Sequence, residues 1–187
     1  MKATNHESVF ETERLLLEPQ RESHAAELLE ILSEPRLYEF IPQDPPQTLA
    51  ILAARFQRLE TRVSPRGDEI WLNWVVRSKS EKKCLGRVQA TIRQDGSALI
   101  AYEIGTDFWG QGYATEACGR VIQALFADYK VEKIVAEVDT RNLASIRLLD
   151  RLGFKRSAHH LNADFFKGSP SHEVIYTLSR PSANGND

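Results

Sequence analysis

From Tyr102 to Ala117 the chain reads Tyr-Glu-Ile-Gly-Thr-Asp-Phe-Trp-Gly-Gln-Gly-Tyr-Ala-Thr-Glu-Ala, and this stretch constrains the fold more than any other. A strand ends, Gly110 and Gly112 give a tight turn, and a helix begins at once. Glycine lets a backbone approach a ligand closely and adopt angles that other residues avoid. The first N–H groups of a helix have no partners inside it, and the positive end of the helix dipole lies with them. Together they make an anion site that suits a diphosphate.

The flanking pattern places this turn inside a mixed α/β chain. Arg14 to Glu18 is a strand stopped by Pro19. Ala25, Leu28, Leu29 and Leu32 repeat at helical spacing, as do Leu49, Leu52, Ala53, Phe56 and Leu59. The period then becomes two. Ile70 to Val76 and Cys84 to Ile92 are strands, with Cys84, Val88, Ala90 and Ile92 on one face and Arg87, Gln89 and Thr91 on the other. Asp95-Gly96 predicts a hairpin into Ala98 to Ile104. Ala114, Ala117, Cys118, Val121, Ile122 and Leu125 form the stripe of the next helix. Lys133 to Val138 is a buried strand, Asn142 to Leu152 a helix stopped by Gly153, and Phe154 to Ala158 and Val174 to Leu178 two further strands. The order implies a mainly antiparallel sheet with one βαβ unit in the second half.

Without a repeat or a low-complexity linker, residues 8–180 read as one domain, and residues 1–7 and 181–187 as flexible ends. At 187 residues, 42% of them hydrophobic, the chain is long enough for a real core. A net charge of −2 argues against a generic nucleic-acid binder. No apolar run has the length of a membrane helix, and the polar start lacks a signal-peptide core, so the expected address is the cytoplasm. Cys84 and Cys118 sit in apolar patterns and are expected to be buried and inert. His24, His159, His160 and His172 have no recognisable ligand spacing, so no metal is expected.

Taken alone, Gly-Gln-Gly is also compatible with an ordinary turn before a helix. A P-loop needs Lys and Ser or Thr after its last glycine, which this turn lacks. A dinucleotide fingerprint wants Gly or Ala where Thr115 stands and an acidic residue about 20 positions on, for which Asp139 is an imperfect candidate.

Trp109 to Ala117 resembles the cofactor loop of the GNAT superfamily of N-acetyltransferases, in particular its ribosomal-protein N-terminal acetyltransferase branch. Asn142, Ser145 and the pair Gly153-Phe154 resemble that family's second signature, and Thr12-Glu13-Arg14-Leu15-Leu16-Leu17 is similar to the branch's opening. The resemblance implies a mainly antiparallel central sheet with helices on both faces. Its parallel strands, here Tyr102 to Gly105 and Lys133 to Val138, splay apart. Acetyl-coenzyme A would then be the cosubstrate and an amine the acceptor, either a protein N-terminus or a small molecule.

By the same resemblance the pantetheine arm pairs with backbone at Glu103, Ile104 and Gly105. Gly110, Gln111, Gly112, Tyr113, Ala114 and Thr115 hold the pyrophosphate, and Asn142 and Ser145 reach the cofactor from the following helix. Glu103 is the candidate base, because near neutrality an amine with a pKa of about 8 to 10 is mostly protonated. The Ile104 N–H is the implied oxyanion donor. The family's frequent acidic Tyr is replaced by Leu149, which leaves Ser145 as the candidate acid. Segments 37–46 and 160–172 are expected to shape acceptor choice, and a homodimer would be unsurprising. A non-catalytic acyl-coenzyme A-binding module and a nicotinamide-binding oxidoreductase are the alternatives.

Overall fold

The computed structural model describes residues 5–181, so residues 1–4 and 182–187 of the expected flexible ends lie outside the described residues. Within the part that is described, the start of the chain is tied down. Glu7 pairs with Arg62 at 2.9 Å and with Arg21, and His6 stacks on Tyr129.

The elements follow as β1 (Phe10–Glu11), β2 (Leu15–Pro19), α1 (Ala25–Leu32), α2 (Leu49–Leu59), β3 (Glu69–Ser78), β4 (Cys84–Arg93) and β5 (Ser97–Ile104). After these come α3 (Tyr113–Ala127), β6 (Lys133–Asp139), α4 (Leu143–Arg151), β7 (Lys155–Phe166) and β8 (Ser169–Ser179). Caps set the helix starts where the sequence supplies them: Thr48 accepts from Ile51 N–H ahead of α2, and Asn142 accepts from Ser145 N–H ahead of α4.

The strands form one eight-stranded sheet in the order β1-β2-β3-β4-β5-β6-β8-β7. All pairings are antiparallel except β5 with β6. That parallel ladder covers only Ser97 to Leu99 against Lys133 to Val135, so the C-terminal halves of the two strands part and leave an opening. This is the mixed, mainly antiparallel fold with a splayed parallel pair that the resemblance implied.

Helices cover both faces. Alternate residues of β3 show it: Trp74 and Val76 pack in the larger core with α3 and α4, while Val75 packs with α1 and α2. The α3 stripe buries Ala117, Cys118, Val121, Ile122 and Leu125 as expected. Among the described residues no helix is long and apolar enough to cross a membrane.

One expected face is corrected. Cys84 does not share the face of Val88 and Ala90 but lies with α1 and α2, and Leu85 takes its place in the larger core. The cause is a bulge: Val76 is opposite Gly86 and Arg77 opposite Cys84, so Leu85 is an extra residue on β4. One extra residue inverts every side chain on its far side. Gly86 makes the bulge fit. Its φ is +150°, and a Cβ there would stand 2.0 Å from the Glu103 carbonyl oxygen. The second difference is length, since β7 and β8 form a long hairpin in which β7 is exposed along nearly its whole run.

Candidate active site

The glycine turn lies between β5 and α3. A short 3-10 turn at Thr106–Phe108 carries the chain from the strand, Gly110 and Gly112 have φ of +74° and +83°, and Gly112 occupies the N-cap of α3 with no side chain capping it. Among the described residues the backbone amides of Gly110, Gln111, Gly112, Tyr113, Ala114 and Thr115 donate to no protein group; the first amide of the series to find a partner is Glu116, on the Gly112 carbonyl. The turn is exposed at Gly110 to Gly112. A Cβ at Gly110 would meet nothing within 4 Å, and one at Gly112 only an Arg14 nitrogen at 3.4 Å, so the chain is not packed against other groups at these two glycines.

Arg14 is a residue that the sequence reading did not assign to the site. Its Nη1 donates to the Gln111 carbonyl at 3.0 Å and its guanidinium lies 4.4 Å from the centre of the Tyr113 ring. Glu116, in the first turn of α3, fixes it: the carboxylate accepts from Arg14 Nε at 2.6 Å, Arg14 N–H at 2.9 Å and Thr12 Oγ1 at 2.5 Å. Burial works to raise the Glu116 pKa, but these donors outweigh it and hold the group below its ordinary value. The Thr12-Glu13-Arg14 segment thus buttresses the turn from β2.

The opening between β5 and β6 supplies the second part. Gly105 N–H donates to the Leu85 carbonyl on β4 at 2.8 Å. Amides of a strand alternate sides, so the Glu103 and Gly105 amides face β4 and that of Ile104 faces β6. The β6 ladder has ended by then, which leaves the Ile104 N–H without a strand opposite. Of the expected backbone contacts at Glu103, Ile104 and Gly105, only that at Ile104 therefore has an amide on the open edge. Its carbonyl is taken, because Trp109 Nε1 donates to it at 2.7 Å. The indole in this turn is a brace for the strand end.

Side chains of β5 sort the remaining candidates onto opposite faces. Glu103 points toward α1 and α2, where Arg87 Nε and Nη2 donate to its two oxygens at 2.5 and 3.0 Å and Gln89 Nε2 donates at 3.0 Å. Arg87 is 0% exposed and Glu103 13%. Burial pushes the Glu103 pKa up, yet Arg87, Arg55 and Gln89 prevail and hold it below the ordinary carboxylate value. Glu103 is thus an ion-paired carboxylate of low basicity, not the free base that its place on the strand suggested. The Arg87 guanidinium also lies 5.7 Å from the Phe56 ring centre on α2. Buried Tyr38 stands by this pair and donates its hydroxyl to the Leu32 carbonyl at 2.8 Å.

Tyr102, one residue earlier, packs against the α3 and α4 core. Its hydroxyl is buried and makes no well-formed hydrogen bond. Burial raises its pKa, and the Ser145 side chain, near enough to act on it, pulls the other way. Ser145 thus stands on the opposite face from Glu103, on the first turn of α4 beside the Asn142 cap. Leu149 is 1% exposed and belongs to the core.

Asp139, the imperfect acidic candidate for a dinucleotide fingerprint, is not a free carboxylate. It accepts from Arg141 N–H, Nε and Nη2 at 2.8, 2.9 and 2.7 Å and from Ser171 Oγ at 2.8 Å. Burial opposes ionisation, but these donors lower its pKa to about 2. Both cysteines are buried: burial raises the Cys84 pKa to about 12 and pushes that of Cys118 up as well. His24 and His172 each accept a backbone N–H locally, from Arg21 and Asn162.

The two segments expected to shape acceptor choice meet. Lys167, at the tip of the β7–β8 hairpin, donates to the carbonyls of Tyr38, Ile41 and Gln43 in the loop between α1 and α2. Arg141 adds a second link, donating to Ser169 Oγ at 2.8 Å while its guanidinium lies 6.0 Å from the Phe40 ring centre.

Residues 14–155 match the acetyltransferase (GNAT) domain. The chain is 22% identical over 175 residues to the uncharacterized N-acetyltransferase YoaA of Bacillus subtilis (strain 168), covering 92% of this chain and 97% of that one. In structure it is similar to a ribosomal-protein-S5-alanine acetyltransferase from Vibrio fischeri, with a TM-score of 0.80, 19% identity and coverage of 92% and 97%. It is also similar to a spermidine N-acetyltransferase from Vibrio cholerae solved with CoA and spermine, with a TM-score of 0.78, 17% identity and coverage of 90% and 97%. The sheet with its splayed parallel pair, the glycine turn and the match over most of the chain agree: the chain belongs to the GNAT family of acetyl-coenzyme A-dependent acetyltransferases.

Proposed function

We propose that this protein transfers an acetyl group from acetyl-coenzyme A to a primary amine by direct attack on the thioester. The observation that carries this reading is the run of amides from Gly110 to Thr115 ahead of α3, unpaired among the described residues and following directly on the strand end where β5 and β6 part. The residues present fit the cosubstrate: the amides suit a diphosphate, and the free Ile104 N–H is available at the strand end. Acetyl-coenzyme A would supply the activated acetyl group as a thioester.

The chain's own contribution is binding, orientation and proton handling. The Ile104 N–H would donate to the carbonyl oxygen as it gains charge. The amine must lose one proton and the departing sulfur must gain one. Because Glu103 and Ser145 lie on opposite faces of β5, acceptor and leaving group would be served from opposite sides. Glu103, held ionised by Arg87, orients the acceptor's ammonium or a water that takes its proton, and Ser145 with Tyr102 forms the polar pair on the sulfur side. The acceptor would reach Glu103 from the face of α1 and α2, and the loop that Lys167 ties to the hairpin tip would help shape its approach.

Steady-state release of free thiol with a panel of amines tests this reading. Amine-dependent release is expected; coenzyme A binding with no release for any amine would instead favour a binding module.

A further inference from the structure

The polar cluster under α2 has an unmatched positive charge. Glu103 supplies one carboxylate and Arg87 one guanidinium, and these two neutralise each other at 2.5 and 3.0 Å. Arg55 is the second guanidinium. It stands on α2 next to Phe56, is half-buried, and has no hydrogen bond or ion pair among the described residues. Its pKa is lowered, by burial first and then by the like charge of Arg87, with Glu103 and Tyr38 opposing and Arg58 adding to the repulsion. Arg87 is itself incompletely satisfied: the side chain is fully buried and its Nη1 has no partner. A desolvated guanidinium without a counterion is costly, and so is a buried N–H left unpaired. Tyr38 does not relieve the cost, since its hydroxyl is spent on Leu32.

We infer that the acceptor carries an anionic group, a carboxylate close to its amine, and that Arg55 receives it, with the spare Nη1 of Arg87 behind it. One negative charge balances the cluster, and the acceptor supplies it when its amine is in the neutral form that attacks the thioester, with Glu103 placed to orient that amine or the water that takes its proton. A guanidinium facing a carboxylate gains from charge-assisted and often bidentate bonding, which lysine would not reproduce as well. This assignment rests on the acetyltransferase reading and adds the acceptor's chemical class to it. It favours α-amino acids and other acidic amines over polyamines, which the same field would repel.

The test compares matched acceptors on the full chain, each L-amino acid against its α-carboxamide, by thiol release with wild type and Arg55→Gln. The carboxamide's amine is the less basic of the pair and has more neutral form near neutrality, so a preference for the acid runs against nucleophile availability. The wild type is expected to favour the acid in kcat/KM by on the order of tenfold or more, and Arg55→Gln to lose that preference. Acetyl-coenzyme A affinity by calorimetry should stay as in wild type, and the thermal midpoint should not fall, because the substitution removes an unpaired charge. Thiol release without preference for the acid, or a preference that survives Arg55→Gln, overturns the anionic acceptor and leaves the transferase intact. The absence of release with any amine overturns both.

Discussion

Arg87 and Glu103 face each other across β4 and β5 as a two-pronged ion pair, with the arginine fully buried and the carboxylate nearly so. Removing one partner of such a pair strands the other charge away from water, which costs about 3 to 5 kcal/mol. Glu103→Gln is therefore expected to lower stability by roughly that amount, with turnover reduced more than acetyl-coenzyme A affinity, read by chemical denaturation, thiol release and calorimetry. Because the pair holds the Glu103 pKa below 4.5, its ionisation should leave no inflection in the wild-type rate between about pH 6 and 8. An inflection in that window that disappears in Glu103→Gln would show the carboxylate titrating as a free base.

Gly86→Ala tests the bulge that turns Cys84 toward α1 and α2. The added methyl would lie 2.0 Å from a backbone oxygen at a φ of +150°. Backbone cannot yield as a side-chain tip does, so a loss of about 2 to 4 kcal/mol is expected, read as a lowered denaturation midpoint.

The acid limb of stability should report on Asp139. Its folded pKa of about 2 lies below the ordinary 3.8, so its contribution is fully present above 3.8 and is lost as pH falls toward 2. That contribution is about 2 kcal/mol. Asp139→Asn should lower stability by a comparable amount at pH 7 and flatten the loss between 3.8 and 2.

Lys167→Ala removes the donor that joins the hairpin tip to the carbonyls of Tyr38, Ile41 and Gln43. The acceptor KM is expected to rise several-fold while acetyl-coenzyme A affinity holds, because the glycine turn is built from other elements. Equal acceptor KM values would show that the link has no part in shaping the site.

Much of this architecture was legible because the chain states it locally. Helical and alternating periods marked α1 to α4 and β2 to β6, and two glycines before an apolar stripe marked the turn. The Asp95-Gly96 hairpin even fixes the register that sets Arg87 opposite Glu103, a pairing present in the sequence and not drawn from it. The bulge at Leu85 was hidden, since one extra residue leaves no mark on composition and shows only when β3 and β4 are paired. β7 was read short because its exposed side chains carry no apolar alternation. Arg14, Arg55 and Lys167 escaped for a different reason: each reaches the site from a distant part of the chain, and the distance is closed only by the fold.

The account depends on the amides ahead of α3 seating a diphosphate, and a two-dimensional 1H–15N NMR titration with coenzyme A observes those amides one by one. The account predicts that the resonances of Gly110 to Thr115 move together and by more than those elsewhere in the chain, and that Gly112→Val, whose side chain would occupy the space the phosphates need, weakens binding by tenfold or more, an order-of-magnitude expectation. Saturation by coenzyme A with these resonances unmoved would contradict it.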